Sequence, residues 1–381
     1  FYFDEGTFFT ILPIDGRYFR LISTCHTTAA EVDDEFVLRR FDTLLRALGL
    51  TDVSLGSPFW VTRFNPRQFL ADRLRVGGVF LVGDAAHIQS PIGAQGLNTG
   101  IQDTMNLAWK LGHAVYSADA DRMLDSYHSE RHPVARRLFE YNDLLSERIF
   151  GRNRIKRKLL RYQNHLLRLP SFHATELGKV SQFRVGYPAG GLFGRGGAGA
   201  ACGPQLRAGT RMPHTAFTSP DGEVFPLLGE LGAHRHLLLA FAGEDAAPPE
   251  RFLAPLRQAS RLRLTGEDAA YVVYDRPSPK QRYRGPSGTQ VLIDRIGRWR
   301  EQHRVPEHTG VLLRPDGYVA AAFPLTDPAS LDSYLSLLEY TMTQSCQGRA
   351  AKDDRNGSAT VRPHRFPGRV ASRHGTPPGR G

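Results

Sequence analysis

Cysteine is nearly absent: Cys25, Cys202 and Cys346 are the only three in 381 residues, and they lie far apart. So sparse and odd a set excludes a disulfide framework and a cysteine-based zinc site, and it fits a reducing cytoplasm. Long apolar runs are absent too. No stretch approaches the roughly 18–20 residues that cross a bilayer, which excludes a transmembrane helix. The first twenty residues hold no basic segment followed by an apolar one, so no secretory signal is expected there. Apolar material is nevertheless ample. With 41% hydrophobic and 10% aromatic residues, the chain is neither wholly disordered nor collagen-like.

Acidic residues are outnumbered, 38 against 49 Lys and Arg, for a net charge of +11. Taken whole, that excess points to nucleic acid or an anionic membrane. Its distribution argues otherwise. Residues 148–168 hold Arg148, Arg152, Arg154, Lys156, Arg157, Lys158, Arg161 and Arg168 with no acid among them. Residues 346–381 add eight Lys and Arg against Asp353 and Asp354. The rest of the chain is slightly acidic. A solvated connecting helix and a disordered basic tail account for the charge, so neither a nucleic-acid nor a membrane partner is expected.

At roughly 100–200 residues per domain, the length allows about two to four domains. Residues 1–23 read as two strands around the turn Ile14-Asp15-Gly16-Arg17, because Asp-Gly between β-prone runs is a hairpin signal. Residues 31–48 repeat Phe36, Val37, Phe41, Leu44, Leu45 and Leu48 at helical spacing, with Gly49 as a C-terminal cap. Residues 57–64 read as a strand, and 121–168 as a long helical region interrupted near Pro133 and Gly151. Over 211–340, short apolar runs alternate with helical patterns and predict a small α/β domain. The runs are His236 to Phe241, Tyr271 to Tyr274, Gln290 to Ile293 and Val311 to Phe323, the last broken by a turn at Arg314-Pro315-Asp316-Gly317. The chain opens on Phe1, directly in strand-like sequence, as a piece of something longer would.

The chemistry concentrates in residues 78–110, GVFLVGDAAHIQSPIGAQGLNTGIQDTMNLAWK. Val79 to Val82 predicts a strand buried on both faces of a parallel sheet. It ends at Gly83-Asp84, where ligands of open α/β sheets sit, so Asp84 can accept hydrogen bonds from ligand hydroxyls. A Pro- and Gly-rich loop, Ser90 to Gly96, lets the backbone approach a ligand through Gly93 and Gly96. A helix then starts near Leu97-Asn98, with Ile101, Met105, Ala108 and Leu111 on one face. Its first N–H groups and positive dipole end suit a negative charge. A flavin needs both features: hydroxyls on its ribityl chain and negative charge on its reduced ring.

This stretch resembles the second FAD-binding motif of the class A flavoprotein aromatic hydroxylases, which include phenol and aromatic polyketide hydroxylases. It departs from the family pattern at Ala94 for Gly, Leu97 for Met and Thr104 for Ala. Three further segments are similar to the family: 127–134 (YHSERHPV), 181–187 (SQFRVGY) and 314–319 (RPDGYV). The resemblance implies a mixed α/β fold. A remnant of a substrate-binding antiparallel sheet would occupy 1–65, and the C-terminal part of a Rossmann-like FAD-binding domain with connecting helices 66–184. A thioredoxin-like domain without a redox CxxC would occupy 185–345, and a disordered tail 346–381.

The family's N-terminal Gly-x-Gly-x-x-Gly unit is not present ahead of the motif. The literal match at Gly194-Arg195-Gly196-Gly197-Ala198-Gly199 lacks an entering strand and a leaving helix and reads as a linker. The chain is therefore expected to be N-terminally truncated.

The implied cofactor is FAD, held by Gly83, Asp84, Pro91, Gly93, Gln95, Gly96, Leu97 and Asn98. The implied reaction is hydroxylation of a small phenolic or polyketide-like ring with NAD(P)H and O2, through a flavin C4a-hydroperoxide. No catalytic residue and no metal ligand is assigned. His87 and Asp103 read as structural, Arg67 and Arg75 as surface charges, and the aromatics of 1–23 as core. The alternatives are a non-catalytic remnant unable to retain FAD, or another flavoenzyme of the superfamily. A homo-oligomer fits the sequence as well as a monomer does.

Overall fold

The structure is a computed structural model. It describes residues 2–4, 7–24, 33–63, 67–90, 95–115, 117, 119–150, 181–183, 185–188, 191–193, 202–229, 231, 236–243, 269–275, 290–294, 298–327 and 329–338. The Gly-rich match at 194–199, most of the basic stretch after 148 and the tail from 346 lie outside the described residues.

The opening hairpin forms as its turn signal predicts. β1 (Tyr2–Asp4), β2 (Thr7–Pro13) and β3 (Phe19–Ser23) make an antiparallel sheet, with Pro13 opposite Phe19. Asp15 closes the turn by accepting from the backbone N–H of Arg17 and Tyr18, both at 2.8 Å. Phe9 faces α1 (Asp34–Ala47) and packs with Leu44 and Leu45. Asp33 caps this helix, accepting from Phe36 N at 2.7 Å, and Gly49 follows it at φ +78°, the left-handed conformation that glycine adopts freely. Asp33→Ala should cost about 1 kcal/mol of stability, read as a lower denaturation midpoint.

Residues 57–63 are not a strand. They carry Phe59 and Trp60 exposed, and the pairing falls instead on β4 (Phe69–Leu70). Tyr18 meets Phe59 edge-on at 5.1 Å, and Arg20 lies 5.8 Å from the Trp60 ring. Aromatic β-prone residues here cover the hairpin tip rather than join a ladder.

The run Val79 to Val82 also departs from expectation. β5 (Arg75–Val76) and β6 (Val79–Phe80) form a tight antiparallel hairpin through Gly77 at φ +57°, and Val76 and Val79 are each 65% exposed. Among the described residues no parallel neighbour flanks this run, so its apolar side chains are not enclosed. β7 (His87–Ile88) pairs antiparallel with β4.

Two long helices follow, α2 (Gly96–Ala114) and α3 (Ala120–Phe150). α2 is inverted relative to a simple amphipathic reading. Ile101, Met105, Ala108 and Leu111 are exposed, whereas Thr99, Asp103, Asn106, Lys110 and His113 are buried. No helix among the described residues is long and apolar enough to cross a membrane.

The C-terminal alternation becomes a seven-stranded sheet. Its strands are β8 (Ala216–Thr218), β9 (Val224–Pro226), β10 (Leu237–Gly243), β11 (Ala269–Asp275), β12 (Gln290–Asp294), β13 (Thr309–Leu313) and β14 (Val319–Pro324), in spatial order β14-β13-β10-β11-β12-β8-β9. β10, β11 and β12 run parallel, while β13 is antiparallel to both β10 and β14. Alternate residues fill two cores, as period-two side chains must when both faces are covered. Leu237, Leu239, Phe241 and Val311 join Phe217 and Trp299 of α4 (Arg298–Gln302). Leu238, Ala240, Val272 and Leu312 join Tyr334 of α5 (Ala329–Leu337) and, from the long helices, Trp109 and Met123.

Candidate functional site

The Gly83-Asp84 turn sits directly on α2. Gly83 adopts φ +59°, and a Cβ on Gly100 would come within 3.2 Å of the Gly83 Cα. Glycine at both positions permits this backbone-on-backbone contact. Asp84 and Ala85, in the single 3-10 turn Gly83–Ala85, are exposed, and so are Leu97 and Asn98 in the first turn of α2. Leu97 is 78% exposed. Gln95 is buried. Its carbonyl accepts from Thr99 N at 3.0 Å, Thr99 Oγ1 at 2.9 Å and Gln182 Nε2 at 3.3 Å. Pro91 and Gly93 lie outside the described residues.

Two residues read as structural prove to hold the site together. Asp103, fully buried, accepts at 2.6 Å from Arg131 Nε and at 3.3 Å from Gly83 N, and its Oδ2 lies 2.6 Å from His87 Nε2. Burial works against its ionisation, yet the His87 hydrogen bond and the Arg131 charge hold the carboxyl below the usual range. Arg131 also donates to Thr99 O at 3.1 Å, so it grips the first turn of α2 as well. Gln182, from the SQFRVGY segment, donates to Thr99 Oγ1 at 2.9 Å and accepts from Gln102 at 2.9 Å.

The neighbouring residue Glu130 anchors a second buried cluster. Its Oε2 accepts from Asn106, Lys110 and Arg314 at 2.7, 2.7 and 2.8 Å, and its Oε1 from Arg314 at 2.9 Å and Leu192 N at 3.0 Å. Arg314 forks onto Glu130 and pairs again with Asp316 through Nε at 3.1 Å and Nη2 at 2.5 Å. The rings of Trp109 and Phe193 lie 4.9 Å from its guanidinium carbon. Burial lowers the Lys110 ammonium to about 8 even beside Glu130, with the Arg314 charge adding to the shift. Glu130, despite burial, is held well below the usual carboxylate range by Arg314 and Lys110. A Cβ on Gly191 would meet Glu130 Oε1 at 2.6 Å, so the chain closes over this carboxylate only as glycine.

Arg75 is no ligand candidate. Its guanidinium pairs with Asp121 and with Asp125, the latter at 2.6 Å, and fastens the β5–β6 hairpin to α3. Arg67 is exposed.

What the open part of the site offers is a carboxylate acceptor on a rigid turn beside the first N–H groups of a nineteen-residue helix. That donor and acceptor set fits a ligand with hydroxyls and a delocalised negative charge, as FAD has. Among the described residues no group of three or more His, Cys, Asp or Glu side chains could hold a metal ion.

Comparison with known proteins agrees with this chemistry. Residues 1–142 match the family model described as FAD binding domain. The chain is 31% identical to 6-methylpretetramide 4-monooxygenase of Streptomyces rimosus, over 90% of its own length and 59% of that protein. It is 30% identical to an aromatic compound monooxygenase of Bacillus subtilis, over 75% of its length and 48% of that protein. Among solved structures, anhydrotetracycline hydroxylase from Streptomyces rimosus is 25% identical with a TM-score of 0.60, covering 89% of this chain and 59% of that one. An aromatic hydroxylase from angucycline biosynthesis gives 25% and 0.59, covering 87% and 60%. The chain thus spans about half to three fifths of these relatives. Residues 1–142 thus match an FAD binding domain, and across most of its length the chain is similar to aromatic and polyketide monooxygenases and hydroxylases.

Proposed function

We propose that this chain supplies the flavin-side half of an FAD-dependent aromatic monooxygenase. The whole protein would hydroxylate a phenolic or polyketide-like ring with NAD(P)H and O2 in the cytoplasm. The observation that carries this reading is the exposed Asp84 on a turn clamped to α2 by Asp103. Asp84 would accept from the cofactor's hydroxyls, and the first turn of α2, Gly96 to Asn98, would face its anionic ring with N–H groups. Pro91 and Gly93 would shape the loop between them, and Gln95 would brace it through its buried carbonyl. When bound, FAD supplies the hydride acceptance and oxygen activation. The residues named here bind, orient and place positive dipole density.

The antiparallel strands β1 to β3 belong to the substrate side of this reading, and residues 185–345 to a thioredoxin-like domain. The strand order β14-β13-β10-β11, with β13 alone antiparallel, supports the latter. The chain has no CxxC, so that domain would carry no disulfide chemistry. Asp84→Ala should weaken FAD binding about 10- to 100-fold, the loss of hydrogen bonds to a charged acceptor. Titration of flavin fluorescence measures it, and unchanged affinity would remove Asp84 from the site.

A further inference from the structure

The turn between β13 and β14 lies in the C-terminal sheet, yet its charged residues reach the helices that carry the candidate cofactor site. Arg314 and Asp316 are both buried and hold Glu130 of α3 and Asn106 of α2 in one network; Asn106 Nδ2 donates to Glu130 Oε2 at 2.7 Å and to Asp316 Oδ2 at 3.1 Å. The next residue of α3, Arg131, carries the other network: Asp103, Thr99 O and, through Asp103, Gly83 N and His87. The dipeptide Glu130-Arg131 therefore ties the C-terminal turn on one side to the Gly83-Asp84 turn on the other.

The helix ladder of α3 is interrupted next to this dipeptide. Pro133 lies inside the helix, so the bond that residue 133 would donate to Ser129 is missing, and its ring crowds that carbonyl. Their side chains are fixed from outside the helix: the bidentate Arg314 fork holds Glu130 with defined geometry, and Asp103 and Thr99 O hold Arg131.

We propose that Arg314 and Asp316 are positioning residues for the cofactor-facing turn, acting through Glu130-Arg131 and Asp103 on Gly83 to His87. The proposal rests on the reading of that turn as the flavin side of the site. It makes the C-terminal sheet a working part of cofactor binding rather than an appended domain.

Hydrogen exchange on the whole chain tests it without cofactor. Arg314→Lys keeps the charge and loses the fork. Asp316→Asn keeps the shape and loses the charge, and it serves if the first variant folds poorly. Both should speed exchange of backbone amides in 83–88 and 96–100 about tenfold, with α1 unchanged, because local opening is governed by local contacts. Faster exchange confined to 314–318, or equal acceleration throughout the chain including α1, would overturn the proposal. FAD titration of the same proteins should show about tenfold weaker binding in Asp316→Asn. Wild-type affinity in a variant whose 83–88 segment has loosened would overturn it too. A wild-type chain that binds no FAD would instead defeat the cofactor reading, and the exchange pattern would still decide whether the two turns are coupled.

Discussion

Replacing Glu130 by alanine should destabilise the chain by about 3–5 kcal/mol, against a typical total of about 5–15. The carboxylate is fully buried and accepts five hydrogen bonds from four partners. Its removal leaves the Lys110 ammonium without the carboxylate it bonds among the described residues and takes the bidentate partner from Arg314, both in the interior. A lost hydrogen bond alone costs about 1 kcal/mol, so the uncompensated charge dominates. Glu130→Gln should rescue little, because both oxygens accept and an amide nitrogen would face a donor on either side. The double variant Lys110→Met, Glu130→Ala should recover part of the loss by removing the stranded ammonium. Urea denaturation midpoints separate these cases.

The pH dependence follows from the same pairing. Glu130 has a folded-state pKa below its ordinary 4.5, so its contribution is complete above that value and is lost as pH falls below it. In Glu130→Ala that part of the acid limb should disappear. A variant that unfolds across the same acidic range with the same steepness would show that Glu130 contributes nothing to it.

Much of the fold was legible because its signals are local. The Asp15 turn, the helix from Asp34 to Gly49 and the strands from Leu237 to Pro324 each declare themselves through turn chemistry or periodicity within about ten residues. Val79 to Val82 misled for a physical reason: an apolar run reports preference for burial, not the presence of a neighbour to bury against. Residues 57–63 misled because aromatic residues pack on a hairpin tip as readily as in a ladder.

The site's support was hidden differently. On α2 two stripes share helical spacing, an apolar one through Ile101, Met105 and Leu111 and a polar one through Thr99, Asp103, Asn106, Lys110 and His113. Hydrophobicity favours burying the first, yet the second is inside, since it meets Glu130 and Arg131 of α3 and Asp316 of the C-terminal turn. The polar stripe itself, repeating at intervals of four and three, was the available signal. A polar stripe that regular marks a face that meets charged partners in the interior. The distant partner could not be named from sequence, because Asp316 is 210 residues from Asn106.

Asp103→Ala should cost about as much as the loss of Glu130, about 3–5 kcal/mol, for the same electrostatic reason: Arg131 is fully buried and would keep, among the described residues, only Thr99 O and Gln102 as acceptors. The two positions differ in what else they hold. Asp103→Asn keeps the shape and can still accept from Arg131, but its amide nitrogen can donate to His87 only with His87 Nε2 as acceptor. Gly83 N then faces a donor and loses its partner. The Asn variant should therefore cost less stability, about 1–3 kcal/mol, yet loosen the turn that carries Asp84. Its FAD affinity should fall at least as far as its stability suggests, about tenfold, whereas a variant damaging only the core would lower the denaturation midpoint and leave affinity in the surviving folded fraction unchanged. Because Asp103 is held below its ordinary 3.8, its share of stability is present above that pH and lost below it, so Asp103→Asn should flatten the acid limb there. Measuring affinity and acid unfolding on the same preparation distinguishes a residue that shapes the site from one that fills the interior.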